Sequence, residues 1–189
     1  AFKQYTITDK IITFTVLTGI SLPSFFLGMM MILLFAVNLQ WLPVSGMYAI
    51  YGGGDFLDLI HHLIMPAIAL ALVATGVVAR ITRNSVLEIL RQDYIRTARA
   101  KGVREGNVLF KHVLRIAIVT ILPILGLQAG FVLSGSVFIE IVFQWPGVGR
   151  MLVDAILKRD ILLVQGGVMF VAACYVLFNI AVDLLQRYL

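Results

Sequence analysis

The sequence predicts an all-α integral membrane protein, a polytopic helix bundle with four transmembrane helices visible, and three observations support this fold class. Hydrophobic residues make up 60% of the 189 positions, and the mean hydropathy is +0.98. Charged residues make up only 13%, against roughly 25% in a typical soluble domain. Four long apolar runs alternate with polar segments, as expected for helices that cross a bilayer. We therefore expect residues 1–189 to form one membrane domain.

The first apolar run covers residues 11–37 and exceeds the ~20 residues that cross a bilayer. Pro23 lies inside it and predicts a bend, because proline removes a backbone donor and clashes with the preceding turn. The connector that follows, 38–62, contains no Lys or Arg. Trp41 and Tyr48 in this connector suit a membrane interface, where an aromatic ring can be half wet. The connector is therefore expected outside the cytoplasm.

The other three apolar runs predict the second, third and fourth spans. We expect the second span over 63–78, extending at most to Ile81, the third over 116–138 and the fourth over 161–184. Glycines within these runs allow close packing of neighbouring helices. The chain would then cross the membrane four times, with both visible ends in the cytoplasm.

A second extracytoplasmic loop is expected over 140–160. Within it, Trp145-Pro146-Gly147 predicts a turn, and residues 151–157 predict a short surface helix. Three basic residues balance three acidic ones in this loop. It therefore lacks the excess of Lys and Arg that marks a cytoplasmic loop.

The segment between the second and third spans is strongly basic. Residues 80–115 hold nine of the fifteen Lys and Arg residues of the chain and only three acids. The positive-inside bias therefore places this segment in the cytoplasm. Leu87, Leu90, Tyr94 and Ala98 recur at helical spacing and predict one apolar stripe on a helix.

Gly102, within Lys101-Gly-Val103, predicts a break in this helix, because glycine suits the residue that follows a helix end. A second segment over 107–114 would then lead into the third span. The pattern alone leaves two interpretations open. The segment is either a docking surface for a partner or a basic loop that only fixes the topology.

Several stretches carry a family resemblance. The sequence Tyr94-Ile-Arg-Thr-Ala-Arg-Ala-Lys-Gly102, followed by Lys111-His-Val-Leu-Arg115, resembles the cytoplasmic loop of permease subunits in bacterial binding-protein-dependent ABC importers. More narrowly, it is similar to the dipeptide/oligopeptide/nickel branch. The further stretches that match this branch are 21–28 with 41–46, 140–149, and 154–160 with 165–166. The general family has Glu-Ala-Ala where this chain has Arg96-Thr97-Ala98, so a contact through that glutamate cannot be carried over.

The resemblance implies that the loop at about 83–115 carries a coupling helix, which sits in a cleft of a cytoplasmic ATPase subunit. The residues that it assigns to this contact are Tyr94, Arg96, Thr97, Ala98, Arg99, Lys101 and Gly102. It also implies that the extracytoplasmic loops face a solute-binding protein. The residues expected there are Trp41, Pro43, Trp145, Pro146 and Gly147.

The assembly implied by the resemblance contains a second related permease, two cytoplasmic ATPase subunits and an extracytoplasmic solute-binding protein. It would lie in the bacterial inner membrane, in contact with lipid. Nucleic acid is not an expected partner, because the basic charge lies beside membrane spans. Family members have further spans before the first one seen here, so the resemblance predicts a partial chain. The expected solute is a short peptide, or a related solute such as a nickel chelate or glutathione.

The sequence contains no P-loop of the Gly-x-x-x-x-Gly-Lys-Ser/Thr type. We therefore expect no ATPase site, cofactor or metal in this chain, with ATP and Mg²⁺ bound by the partner ATPase subunits. Two other function classes stay open from the residues alone. One is an ion-coupled secondary transporter, and the other is an intramembrane enzyme that uses His61, His62 or Asp183.

Gln128, Ser134 and Asn179 are polar residues within the predicted spans. Polar groups at this depth face a bundle interior or a water-filled path, or hydrogen-bond between helices. They are candidates for a substrate path, with helix–helix bonding as the alternative for each.

Overall fold

The structure, a computed structural model, describes residues 7, 22–52 and 54–188. Its described residues form seven α-helices and two π-helical segments, without a strand. In chain order these are α1 (Ser24–Met31), π1 (Ile32–Asn38), α2 (Phe56–Leu90), α3 (Asp93–Ala100), α4 (Glu105–Asn107), π2 (Val108–Leu114), α5 (Arg115–Val142), α6 (Val148–Leu157) and α7 (Ile161–Tyr188). The predicted all-α class is confirmed.

Three of the described helices are long and apolar enough to cross a membrane. They are α2, the continuous helical stretch Glu105–Val142, and α7. The predicted first span is only partly described, because residues 11–21 lie outside the described residues. Its second half forms the shorter apolar helix Ser24–Asn38. Pro23 stands at the N-cap of this helix with φ −59° and ψ 141°, so the chain is not helical at the predicted bend.

The helices are longer than the predicted spans. The second helix begins at Phe56 and continues through Arg80 and Arg83 to Leu90. The two arginines therefore do not end the helix, because Arg is a good helix former. Pro66 lies in the interior of this helix. Its missing N–H is a cost that membrane helices tolerate when neighbouring groups satisfy the freed carbonyl.

Helices α2 and α5 pack antiparallel and join two apolar clusters at opposite ends of the bundle. At one end, the buried residues come from the end of α2, α3, π2 and the start of α5. We call this the α3 end. At the other end, Met65 and Ala69 of α2 meet Ile139 and Phe143 beside α1. We call this the α6 end, because α6 follows Phe143 closely.

Helix α7 closes the bundle by packing against α5 and α6. Tyr175 and Asn179 lie against Gly130 and Gly126 of α5, and Leu152 of α6 lies against Gly167. Only 6% of the most apolar window of α7 is buried, against 28% for α2. The exposed apolar surface of α7 therefore has to be covered by lipid or by another membrane protein.

Candidate functional sites at the two ends of the bundle

The predicted apolar stripe from Leu87 to Ala98 is wrong as a single helix face. Helix α2 ends at Leu90, the chain turns at Arg91 and Gln92, and α3 begins at Asp93. Two members of the stripe therefore belong to α2 and two to α3. Tyr94, expected on the apolar face, is 44% exposed. The turn re-aims α3, so that a different residue faces the bundle.

Ile95 is that residue, and the sequence reasoning missed it. Its side chain is 0% exposed and packs in the cluster at the α3 end. The other buried members of this cluster are Val86, Ile89, Val108, Val113, Ala117 and Ile121. Full burial of an isoleucine stabilises by about 1.5–3 kcal/mol. The available signal was that Ile95 is the one large aliphatic residue in the otherwise polar stretch from Asp93 to Ala100.

Gly102 ends α3 in the predicted place. Its φ is +77°, a conformation that glycine adopts without strain. The Gly102 N–H donates to the Arg99 carbonyl at 2.9 Å, and the Val103 N–H donates to the Ala98 carbonyl at 3.2 Å. These two bonds make a Schellman motif. Val103 then packs on the same cluster as Ile95, so both ends of the turn are fixed.

A Cβ on Gly102 would meet nothing within 4 Å. The requirement for glycine there is therefore set by the backbone conformation and not by crowding. Gly106, four residues on, also has open space around it, but it has no positive φ. The two glycines provide a matched pair for experiments.

The remaining predicted coupling residues lie on the outward side of α3 and the turn after it. Arg96 and Lys101 are exposed, as is Thr97, whose hydroxyl donates to the Asp93 carbonyl at 3.0 Å. Ala98 is half-buried. Arg99 pairs with Glu105 across the turn, with Nε 3.0 Å from Oε1 and a second bond of 3.4 Å to Oε2.

Arg96 lies 3.7 Å from Asp93, but these side chains are 78% and 95% exposed. Such exposed pairs contribute little to stability. The outward face of α3 is thus basic and accessible, and its exposed Arg96–Asp93 pair adds little to the stability of the fold. Its inward face consists of one buried side chain.

At the α6 end, the two predicted extracytoplasmic loops are bonded to each other. The Gly46 N–H of the first loop donates to the Phe143 carbonyl at 2.8 Å, and the Trp41 N–H donates to the Phe35 carbonyl at 2.8 Å. Trp41 is 64% exposed, and Pro43 beside it is half-buried. These loops form one surface.

Side chains from the first turns of α2 hold the first loop in place. The His61 Nε2 donates to the Trp41 carbonyl at 3.0 Å. The Asp58 carboxylate accepts the N–H groups of Ala49 at 2.9 Å and Gly54 at 3.3 Å. His62, buried at 8% exposure, bonds through Nδ1 to the Asp58 carbonyl at 2.9 Å and lies 3.1 Å from its carboxylate.

The two histidines are therefore engaged in holding a loop. Asp183, the third residue of the enzyme alternative, lies on α7 beyond Asn179, toward the α3 end. The structure does not bring these residues together. Within residues 22–52 and 54–188, no group of three or more His, Cys, Asp or Glu side chains is placed to hold a metal ion.

Glu140 fixes the start of α6, and this role was missed from the sequence. Its Oε2 accepts the Arg150 N–H at 2.8 Å, and its backbone carbonyl accepts the Trp145 N–H at 2.8 Å. The Arg150 N–H is one of the unpaired donors of the first helical turn, and a carboxylate there is favoured by the helix dipole.

Two glycines make room for this carboxylate. A Cβ on Gly147 would collide with the Glu140 carboxylate, and one on Gly149 would lie 2.6 Å from Val137 Cγ2 and 2.9 Å from its Cα. The Trp-Pro-Gly-Val-Gly sequence is thus more than a turn signal. The spacing of its two glycines behind a glutamate was the clue available in the sequence.

The three polar candidates in the spans do not form one group. A Cβ on Gly126 would lie 2.5 Å from Asn179 Oδ1, and Asn179 Nδ2 donates to the Tyr175 carbonyl at 2.9 Å. This favours helix packing for Asn179. Ser134 is exposed and donates to the Gly130 carbonyl at 3.0 Å. Gln128 lies two residues from Gly126, about 200° around α5, and therefore faces away from Asn179.

Comparison with known proteins matches the whole chain to one family. The profile described as "binding-protein-dependent transport system inner membrane component" matches residues 1–189. The di/tripeptide transport system permease protein DppB of Pseudomonas aeruginosa is 42% identical, over 98% of this chain and 60% of the relative. The dipeptide permease DppB of Escherichia coli K12 is also 42% identical, over 98% and 61%.

Two relatives named for other solutes match to a similar extent. The oligopeptide transport system permease protein AppB of Bacillus subtilis is 40% identical, over 98% of this chain and 58% of the relative. The glutathione transport system permease protein GsiC of Pectobacterium atrosepticum is 42% identical, over 94% and 55%. The chain thus spans about three fifths of the length of the curated relatives that it matches.

Proposed function

The chain belongs to the family of inner-membrane components of binding-protein-dependent transport systems, and we propose that it acts as the permease subunit of an ATP-driven importer of short peptides. It is a multi-pass protein of the inner membrane by family and by its apolar helices. Its relatives are named for dipeptides, di- and tripeptides, oligopeptides and glutathione. Short peptides are the chemical class that these names share.

The geometry of α3 carries the proposal. A helix that is fixed by one buried residue, Ile95, and by the Gly102 turn can move as a rigid body with the cluster at the α3 end. Its exposed basic face is free to contact a partner. Movement of that partner would then be transmitted to α2 and α5, as in a switch between two packings.

We assign the partner contact to the exposed side of α3 and its turn. The residues concerned are Tyr94, Arg96, Thr97, Arg99, Lys101 and Gly102, with Ala98 at the edge. The excess of Lys and Arg around α3 supports a cytoplasmic location for this end. The partner there would be a pair of ATPase subunits that bind ATP and Mg²⁺, with a second related permease beside α5 and α7.

The α6 end would then face the extracytoplasmic solute-binding protein. The bonded loops present Trp41 and Pro146 on their exposed side, next to the half-buried Pro43, Trp145 and Gly147. A surface held by Asp58, His61 and Glu140 keeps its shape when the partner leaves. Among the three polar candidates for a substrate path, Ser134 is the one with an exposed side chain. It lies on the same helix as Glu140.

Site-specific crosslinking in the assembled transporter tests the proposal. In a Cys174→Ala background, Arg96→Cys is expected to crosslink to an ATPase subunit. Phe170→Cys, on the exposed apolar surface of α7, is the matched control and should not do so. Uptake of a dipeptide into proteoliposomes should require ATP. Crosslinking of Phe170→Cys alone, or uptake without the ATPase subunits, would overturn the proposal.

A further inference from the structure

An open groove lies between α6 and the start of α7, at the α6 end of the bundle. Its volume is about 720 Å³, within the range of small-molecule sites. The apolar lining includes Val148, Ala155 and Leu163, and Ala155 is 2% exposed. These residues give the groove an apolar floor.

Charged side chains line the same groove at regular spacing. Arg150, Asp154 and Lys158 are four residues apart and all contribute to the lining. At 1.5 Å per residue, neighbouring charges are separated by about 6 Å along the helix axis. Their signs alternate, so a cation, an anion and a second cation follow one another along α6.

These three charges are not used by the fold. None of the ion pairs found in the described part of the chain involves Arg150, Asp154 or Lys158. Asp160, which also lines the groove, is different. Its carboxylate accepts the Leu163 N–H at 3.1 Å and so caps the start of α7.

We propose that this groove binds the two charged ends of a short zwitterionic peptide, with the peptide carboxylate at Arg150 and the peptide ammonium at Asp154. An extended dipeptide spans about 7 Å at 3.3–3.6 Å per residue, close to the separation of these two charges along α6. The guanidinium of Arg150 suits a carboxylate because it can donate two parallel hydrogen bonds. Lys158 supplies a second cation at the same distance from Asp154.

The backbone of Arg150 is held without a ligand. Its N–H is bonded to Glu140 Oε2, and the glycines on either side of Val148 leave room for this carboxylate. A fixed helix start loses less conformational freedom on binding than a mobile one. The inference rests on the proposed function, because it takes the solute to be a peptide, and it adds where the peptide is held as it reaches the permease.

The competing explanation is that the three charges stabilise α6 itself, as residues spaced by four do on helix surfaces. That role would not distinguish one end of a peptide from the other. A measurement that separates recognition of the carboxylate from recognition of the ammonium therefore decides between the two.

Photolabelling of the assembled transporter in nanodiscs without ATP provides that measurement. The probe is a zwitterionic dipeptide with a photoreactive diazirine side chain, and labelled residues are identified by mass spectrometry. We expect labelling on α6, competed by the unlabelled dipeptide. The same dipeptide blocked as its N-acetyl or its amide form should compete roughly tenfold more weakly, since each loses a charge-assisted contact.

Three variants assign the contacts. Arg150→Gln should make the dipeptide and its amide compete equally, while Asp154→Asn should do so for the dipeptide and its N-acetyl form. Arg159→Gln is the control, because Arg159 is an exposed neighbouring cation that does not line the groove. The opposite selectivities of the first two variants cannot arise from a general loss of folding.

Absence of labelling on α6, or labelling that blocked peptides compete as well as the free dipeptide, would overturn this inference. ATP-driven uptake is measured separately on the same preparation. Labelling with the expected selectivity but without uptake would reject the proposed function and leave the groove assignment intact. Uptake without labelling on α6 would reject the groove assignment and leave the proposed function intact.

Discussion

Each end of the bundle has an apolar cluster, but the segments that connect the long helices are held by different interactions at the two ends. At the α3 end, α3 packs into a dry cluster with apolar residues of α2, π2 and α5. At the α6 end, the loops beyond the helices are fixed by directed hydrogen bonds to the carboxylates of Asp58 and Glu140. Apolar burial is non-directional, whereas a hydrogen bond weakens steeply when its angle changes.

This difference suits different tasks. A helix held by apolar contacts can tilt with its cluster, while loops held by several directed bonds keep one shape. The α3 end therefore has the properties of a moving contact, and the α6 end those of a fixed surface. Substitutions that disturb the apolar contact of α3 or the close packing of the α6-end loops test this difference between the two ends.

The largest effect is expected at Ile95. Ile95→Ala should destabilise the α3 end by about 2–5 kcal/mol, through lost burial and a residual cavity. The measurement is hydrogen exchange of α3 amides in the assembled transporter, together with thermal unfolding in detergent. Ile156→Ala is the matched control, because Ile156 is 59% exposed on α6. Equal losses for the two variants would show that α3 is not held by this contact.

At the α6 end, Gly147→Ala should cost about 1–3 kcal/mol, because an added methyl group overpacks the site against the Glu140 carboxylate. Combining it with Glu140→Ala should remove most of that cost, although Glu140→Ala alone leaves the Arg150 N–H without its acceptor. Gly149→Ala should not be rescued, because its Cβ also meets the Val137 backbone. A double-mutant cycle on thermal unfolding measures this coupling.

Coupling energies near zero for Gly147 with Glu140 would contradict the close approach of the carboxylate. A rescue of Gly149→Ala as complete as that of Gly147→Ala would contradict the separate role of Val137. Either result would mean that the close packing around Glu140 does not make the α6 end rigid.

The turn after α3 should give a smaller effect on stability and a larger one on coupling. Gly102→Val forces a β-branched residue to φ +77°, at a cost of about 1–2 kcal/mol. We expect the complex to assemble and to hydrolyse ATP, but with a lower ratio of peptide uptake to ATP hydrolysis. Gly106→Val is the control, since Gly106 has no positive φ and equal space. An unchanged ratio in Gly102→Val would argue against a coupling role for this turn.

The sequence predicted features that depend on composition or on the local backbone, and it missed a contact that depends on how helices are oriented. The apolar runs predicted the fold class and four spans, and the described residues contain three helices that can cross a membrane, because composition and length decide insertion into lipid. The helix break at Gly102 was predicted correctly, since a helix end is decided by the local backbone. Ile95 was missed because a two-residue turn at Arg91 and Gln92 changes which side of α3 faces the bundle.

Glu140 and Asn179 illustrate a second limit. Their partners are backbone groups or glycines on other segments, and a glycine gives no indication in sequence of which side chain occupies its space. The loop contacts of Asp58 and His61 are of the same kind. Such contacts depend on the tertiary approach of segments, which hydrophobic periodicity does not encode.

The smallest effect on stability is expected at Arg96. Arg96→Ala should leave the unfolding of the transporter unchanged, because its only described ion pair is long and exposed at 3.7 Å. Its effect should instead fall on the association of the ATPase subunits, measured by titration of detached subunits onto membranes. Arg159→Ala at the α6 end is the matched control and should change neither quantity. A stability loss in Arg96→Ala without weaker association would place Arg96 in the fold and remove it from the contact surface. Weaker association at unchanged stability is the result that separates a docking face from a structural one.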